Sequence, residues 1–188
     1  MLDMGSARHW ARALQERALE PGGRAVDATM GNGGDTEALC RLAGDTGLVY
    51  ALDVQRQSLE NTRARLARVG LLERARLYCL GHQHMAQVVE PGIDLAVFNL
   101  GWLPGSPDKS LTTRTETTLA ALEAALSLLR RGGLITLCAY PGHQEGSREL
   151  HQVLGWAQGL PPDRVQVMAQ GYLNQPNAPA LVALVKLH

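Results

Sequence analysis

Two aspartates and a run of glycines carry the strongest chemical signal in this chain. The segment VDATMGNGGDT (26–36) ends an apolar run on Asp27 and then turns through Gly31, Gly33 and Gly34. Glycine reaches backbone angles closed to other residues and lets a ligand lie against the main chain. A nicotinamide-dinucleotide fingerprint would need a third glycine at position 36, where this chain has Thr36. It would also bring a pyrophosphate to the turn, and the Asp27 carboxylate opposes a second anion there. A cationic group, ammonium or sulfonium, suits that carboxylate. Asp53 closes the next apolar run, LVYALD, 22 residues after Gly31. A carboxylate at that place can accept the hydroxyls of a ribose. A ribose, an ammonium, a sulfonium and no phosphate together describe S-adenosylmethionine.

A second constellation is FNLGWLPG (98–105). Asn99 stands at the end of an apolar run and offers a carbonyl acceptor and an amide donor. An amine about to be alkylated needs an acceptor that orients its lone pair. Trp102 offers a flat face for a base or a cation, and Pro104 stiffens the loop. Aromatic residues make up 4% of the chain, so Phe98 and Trp102 on either side of Asn99 carry weight. The plainer alternative has Trp102 closing the rim of the core and Asn99 forming a turn. His82 and His84 follow the third apolar run, and Tyr140 and His143 follow the fifth, in YPGH. The first pair would wall an adenine pocket, and His143 would take a proton; structural histidines remain the alternative. No two histidines are spaced i,i+4 and no acidic third ligand stands out, so no metal is expected. Asn174, Gln175 and Asn177 form an amide-rich loop that either reads a base edge or closes a tight connection.

These residues need a scaffold that gathers strand ends. Apolar runs at 24–28, 48–53, 75–80, 93–100 and 134–140 read as strands, and 164–173 and 180–187 as a final strand pair. Helical spacing links Ala7, Trp10, Leu14 and Ala18, then 35–43, then Leu59, Thr62, Leu66 and Val69. A short helix is expected over 85–89. A later helix places Leu119, Leu122, Leu126 and Leu129 on one stripe, ended by Gly132-Gly133, and another spans 145–158. Alternating strands and helices with a terminal hairpin-like pair predict an α/β, mostly parallel sheet. Such sheets bind ligands outside the carboxyl ends of their strands, where Asp27, Asp53 and Asn99 would meet. The chain reads as one domain over 1–188, with an N-terminal helical segment over 1–22 and the core over 23–188.

Composition narrows the classes. The 188 residues carry 18 Lys+Arg against 18 Asp+Glu, a formal net charge of zero, with hydrophobic residues at 45%. That excludes a bulk polycation and a highly charged disordered chain. Sixteen of the basic residues are Arg. Six of them (56, 63, 65, 68, 74, 76) face only Glu60 and Glu73 in one segment, the first place to look for RNA phosphates outside the pocket. No run approaches the ~20 apolar residues of a membrane span, no leader is evident, and Cys40, Cys79 and Cys138 form no disulfide or metal pattern. A cytoplasmic protein is expected.

With these motifs in order, the chain resembles the class I S-adenosylmethionine-dependent methyltransferases, and more closely the family labelled rRNA methylases, of the YtqB/MnmM type. The matching segments are VDATMGNGGDT (26–36), VYALDVQ (49–55), FNLGWLPG (98–105), DKSLTT (108–113), TETTLAAL (115–122), YPGHQEG (140–146) and NQPNAPAL (174–181). Relatives tend to carry a YxGHxGG-like segment at 140–146 and lack Pro107.

The resemblance implies a seven-stranded, mostly parallel Rossmann-like sheet with helices on both faces. It implies methylation of the 5-aminomethyl group of wobble (2-thio)uridine in tRNA, giving 5-methylaminomethyl-(2-thio)uridine. The cofactor would lie over Thr29, Gly31, Gly33, Asp35 and Thr36. Asp53 and Gln55 would hold its ribose, Asp27 and Asn32 its methionine end, and His82 and His84 its adenine. Asn99 would touch both cofactor and acceptor, with Tyr140 and His143 relaying a proton. Trp102, Pro104, Lys109, Arg114 and the loop of Asn174, Gln175 and Asn177 would contact the tRNA anticodon arm. A homodimer is left open. Competing readings are a methyltransferase acting on rRNA or a small-molecule amine, and an RNA-binding module with a vestigial pocket.

Overall fold

The computed structural model describes residues 4–101 and 113–188. The apolar runs form β1 (Arg24–Asp27), β2 (Leu48–Asp53), β3 (Ala75–Cys79), β4 (Ile93–Asn99), β5 (Leu129–Ala139), β6 (Val165–Gln170) and β7 (Ala180–Lys186). They make one sheet in the order β3-β2-β1-β4-β5-β7-β6. The first five strands run parallel, and β7 is antiparallel to both β5 and β6. This is the expected Rossmann-like sheet. The chain reverses its direction of travel between β1 and β4, which opens a crevice at their carboxyl ends.

Helices cover both faces because successive strand residues point to opposite sides. Ala25, Val49, Leu95 and Val97 pack under α1 (Ala7–Ala18), α2 (Gly34–Ala43) and α3 (Arg56–Arg68). Val26, Tyr50, Ala96 and Phe98 pack under α4 (Thr115–Leu128), α5 (Gln144–Gln158) and a 3₁₀ segment, His82–Gln87. That 3₁₀ segment is the short helix expected over 85–89, begun three residues earlier.

Three expectations shift. In α1 the buried residues are Ala7, Ala11 and Gln15, while Trp10 is 44% exposed. Two alanines let the helix lie close on the sheet, and Gln15 Nε2 donates to Thr136 Oγ1 at 2.9 Å. The larger indole stands aside and donates to the Met4 carbonyl at 2.8 Å. In α4 the inward face is Thr118, Ala121, Leu122, Ala125 and Leu128, one position off the leucine stripe. Finally, β5 begins at Leu129 and runs through Gly132-Gly133. Its register jumps from Ile93↔Leu129 to Leu95↔Leu134, so the glycines form a bulge. Gly132 has φ +76°, and a Cβ on Gly133 would lie 2.8 Å from the Leu129 side chain.

Candidate active site

Asp27, at the carboxyl end of β1, is completely buried. Thr36 Oγ1 donates to its Oδ2 at 2.7 Å and the Thr29 amide donates to its Oδ1 at 3.2 Å. Burial, reinforced by the nearby Asp35 charge, pushes the Asp27 carboxyl up to about 7, against those two hydrogen bonds. No cation of the described residues pairs with it. A buried carboxylate held this way calls for a positive ligand group.

The turn after β1 is tied to β2. The Gly31 amide donates to Asp53 Oδ2 at 3.0 Å and the Gln55 amide to Asp53 Oδ1 at 2.9 Å. Each oxygen keeps a second lone pair, so the half-buried carboxylate can still accept two hydroxyls. Gly33 has φ +76°, and a Cβ there would lie 2.9–3.0 Å from Thr62; both demand glycine. Thr62 Oγ1 donates to the Gly31 carbonyl at 3.0 Å, locking α3 against the turn. Asn32 is exposed, and its Oδ1 accepts from Asn61 Nδ2 at 2.9 Å. That bond ties the turn to α3. These residues fit S-adenosylmethionine: a backbone cradle without side chains, a ribose acceptor at β2 and a buried anion at β1.

Asn99 ends β4 on the same edge. Its amide N–H donates to Thr29 Oγ1 at 2.8 Å, and its Nδ2 donates to Asp35 Oδ2 at 2.6 Å. Asn99 Oδ1 is buried without a hydrogen-bond partner among the described residues. Asp35 is also held by Arg8, whose Nη2 lies 3.0 and 3.2 Å from its two oxygens.

Tyr140 follows β5 at this edge, and burial raises its phenol above the ordinary value. His143 caps α5, its Nδ1 accepting from the Gly146 amide at 3.1 Å. That bond makes Nδ1 an acceptor and leaves the proton of neutral imidazole on Nε2. His82 is buried against Phe98, with ring centroids 6.0 Å apart, and desolvation lowers it to about 4. It is a buried, neutral imidazole packed on the core. His84 is exposed. Arg114 precedes α4 and is exposed, as are Asn174, Gln175 and Asn177. The amide loop lies at the carboxyl end of β5, since Ala139 pairs with Ala180, and the Asn177 carbonyl approaches Gly142. Trp102, Pro104 and Lys109 lie outside the described residues.

Residues 49–186 match a family described as "Putative rRNA methylase". A plant relative, the chloroplastic tRNA (mnm(5)s(2)U34)-methyltransferase of Arabidopsis thaliana, is 38% identical over 186 residues, covering 94% of this chain and 68% of that protein. The chain belongs to the rRNA methylase family. It is a methyltransferase. A solved rRNA methylase from Clostridium thermocellum superposes with a TM-score of 0.95 at 35% identity, covering 99% of this chain and 100% of that one. A Streptococcus mutans methyltransferase, solved in complex with SAH, has a TM-score of 0.88 at 33% identity over 98% and 100% of the two chains.

Several residues of this methylase were not anticipated. Arg8 reaches the site from α1, 27 positions from Asp35 in sequence, and no local motif signals it. Glu149 is buried and accepts from Thr118 Oγ1 at 2.6 Å and Thr113 Oγ1 at 2.8 Å. Thr113 Oγ1 also accepts from the Gly101 amide at 3.1 Å. Glu149 thus anchors both ends of the segment between Gly101 and Thr113. Val54, 64% exposed between Asp53 and Gln55, is an apolar surface beside the ribose acceptor.

The arginine segment is less available than its composition implied. Arg56 pairs with Glu60, Arg65 with Glu37 and Arg74 with Asp45. Arg76 lies near the amino end of β3, away from the carboxyl strand ends that form the site. Among the described residues no group of three or more His, Cys, Asp or Glu could hold a metal, and no helix is long and apolar enough to cross a membrane.

Proposed function

We propose that this methylase moves the methyl group of S-adenosylmethionine to the primary amine of 5-aminomethyl-(2-thio)uridine at the wobble position of tRNA, in the cytoplasm. The observation that carries this reading is the match, over 94% of this chain and 68% of the relative, to a tRNA (mnm(5)s(2)U34)-methyltransferase, supported by an Asn99 carbonyl oxygen without a partner among the described residues. S-adenosylmethionine, the cofactor of this enzyme, supplies a methyl group made electrophilic by its sulfonium.

The chain's residues do the rest. The Gly31–Gly33 turn and Asp53 hold the nucleoside end, with Val54 beside the base. Asp27 faces the positive methionine end. The acceptor must arrive as a neutral amine, since an ammonium has no lone pair and is repelled by the sulfonium. Asn99 Oδ1 accepts an N–H of that amine and turns its lone pair toward the methyl group, a positioning effect. The new C–N bond forms as the C–S bond breaks, and the secondary ammonium then gives up one proton. Tyr140 stands on the same strand edge and passes that proton on to solvent through its hydroxyl, whereas His143 Nδ1 is already engaged by the Gly146 amide. Arg114 and the amide loop are exposed where the anticodon arm would lie, and Trp102, Pro104 and Lys109 are assigned to the same role.

A second reading keeps the transfer and changes the acceptor to rRNA, after the family's label. Incubation with labelled S-adenosylmethionine and separate pools of undermodified tRNA, rRNA and small amines separates the two. Label in tRNA alone is expected. Label in rRNA with none in tRNA would overturn the proposal.

A further inference from the structure

We infer that Asp35, clamped by Arg8, fixes which way round the Asn99 amide sits and so aims its carbonyl oxygen at the acceptor amine. The inference deepens the proposed function and rests on it.

An asparagine amide presents oxygen or nitrogen with nearly the same shape, so its neighbours decide the orientation. Only one orientation serves here. Oxygen toward the amine accepts an N–H and leaves the lone pair directed; nitrogen toward the amine would donate to the lone pair and block attack. An ionised carboxylate accepts and never donates. Asp35 Oδ2 lies 2.6 Å from Asn99 Nδ2, so the NH₂ group is committed to Asp35. Oδ1 faces the other way, buried and without a partner among the described residues.

Two further contacts stiffen the arrangement. The Asn99 amide N–H is fixed by Thr29 Oγ1 at 2.8 Å. Asp35 sits in the first turn of α2, where the helix N-terminus favours an anion, and Arg8 Nη2 reaches both its oxygens from α1. A cavity of about 440 Å³ opens beside the amide, lined by Arg8, Arg12, Gly34, Asp35, Asn99 and Cys138. Arg8 and Asp35 are therefore positioning residues that act through Asn99, joining the N-terminal helix to the reacting atoms.

A double-mutant cycle tests this, with kcat, KM for tRNA and calorimetric affinity for S-adenosylhomocysteine measured on each variant. Asp35→Ala should lower kcat at saturating S-adenosylmethionine on the order of 10²-fold, the cost of a misplaced group, beyond any change in cofactor affinity that follows from relieving its charge on Asp27. Arg8→Met, at a largely exposed side chain, should lower kcat about 10-fold and serves if Asp35→Ala does not fold. Asn99→Ala should lower kcat as much as Asp35→Ala, and adding either other substitution to it should cost nothing more. Losses that multiply in the double variants, or an Asp35→Ala or Arg8→Met loss that appears only in cofactor affinity, would overturn the inference while leaving Asn99's role intact. An Asn99→Ala enzyme with full kcat would overturn that role and the inference together.

Discussion

Cofactor affinity should rise steeply with pH because Asp27 must ionise to receive the cofactor. Burial and the neighbouring Asp35 lift this carboxyl from 3.8 to about 7. A shift of that size means that ionising Asp27 in the ligand-free protein costs on the order of 4 kcal/mol. An ammonium or sulfonium group beside it supplies the missing counter-charge and returns the carboxyl toward its ordinary value. Below about pH 7 binding must then expel a proton, and affinity changes nearly tenfold per pH unit. Between pH 5 and pH 7 this gives about 50-fold, flattening above.

The sign for stability is opposite. A folded value above the unfolded one stabilises the ligand-free protein fully below the unfolded value, and that contribution is lost as pH rises from about 4 to about 7. Asp27→Asn should therefore gain stability relative to the parent across that window while losing the pH-dependence of binding. Calorimetry with S-adenosylhomocysteine, which keeps the ammonium, reads both the affinity and the proton released when run in buffers of different ionisation heat. An affinity that is flat from pH 5 to pH 7, or a slope that survives in Asp27→Asn, would refute the reasoning.

Three further outcomes are expected. Gly33→Ala should lose about 2 kcal/mol of stability by urea unfolding, from the left-handed backbone and the clash with Thr62; an unchanged midpoint would contradict the account of the turn. Glu149→Ala strands the Thr113 and Thr118 hydroxyls, so stability should fall by about 1–3 kcal/mol, with KM for tRNA raised and cofactor affinity unchanged. Lost cofactor affinity would show that Glu149 acts elsewhere. Since Arg56, Arg65 and Arg74 are tied to acidic partners, tRNA binding in filter assays should show a shallow salt dependence from few phosphate contacts; a steep slope would count against it.

The strand ends were legible in the sequence because buried parallel strands read as unbroken apolar runs, and a polar residue closing such a run marks the ligand edge. That logic located Asp27, Asp53 and Asn99 together. It failed where contact depends on packing between distant elements. Arg8 and Glu149 sit on helices whose local pattern says only that they are polar, and their partners Asp35 and Thr113 come from other elements. Trp10 was misplaced for a related reason: helical spacing identifies a face only to within about one position, and the close approach of Ala7 and Ala11 to the sheet decided it. At Gly132-Gly133 a helix-stop signal concealed a strand bulge, since glycine serves both with the same positive φ. The bond from Asn61 of α3 to Asn32 was likewise invisible in the sequence, since it joins the turn to a helix 29 positions away.

The central claim is the transfer itself, and mass spectrometry of tRNA nucleosides from cells lacking this methylase tests it most directly. The account predicts that 5-aminomethyl-(2-thio)uridine accumulates in those cells, and that purified protein with S-adenosylmethionine converts it to the methylaminomethyl form, one methyl group heavier. Normal levels of the methylated nucleoside in the deletion strain, or no conversion by the purified protein, would contradict it.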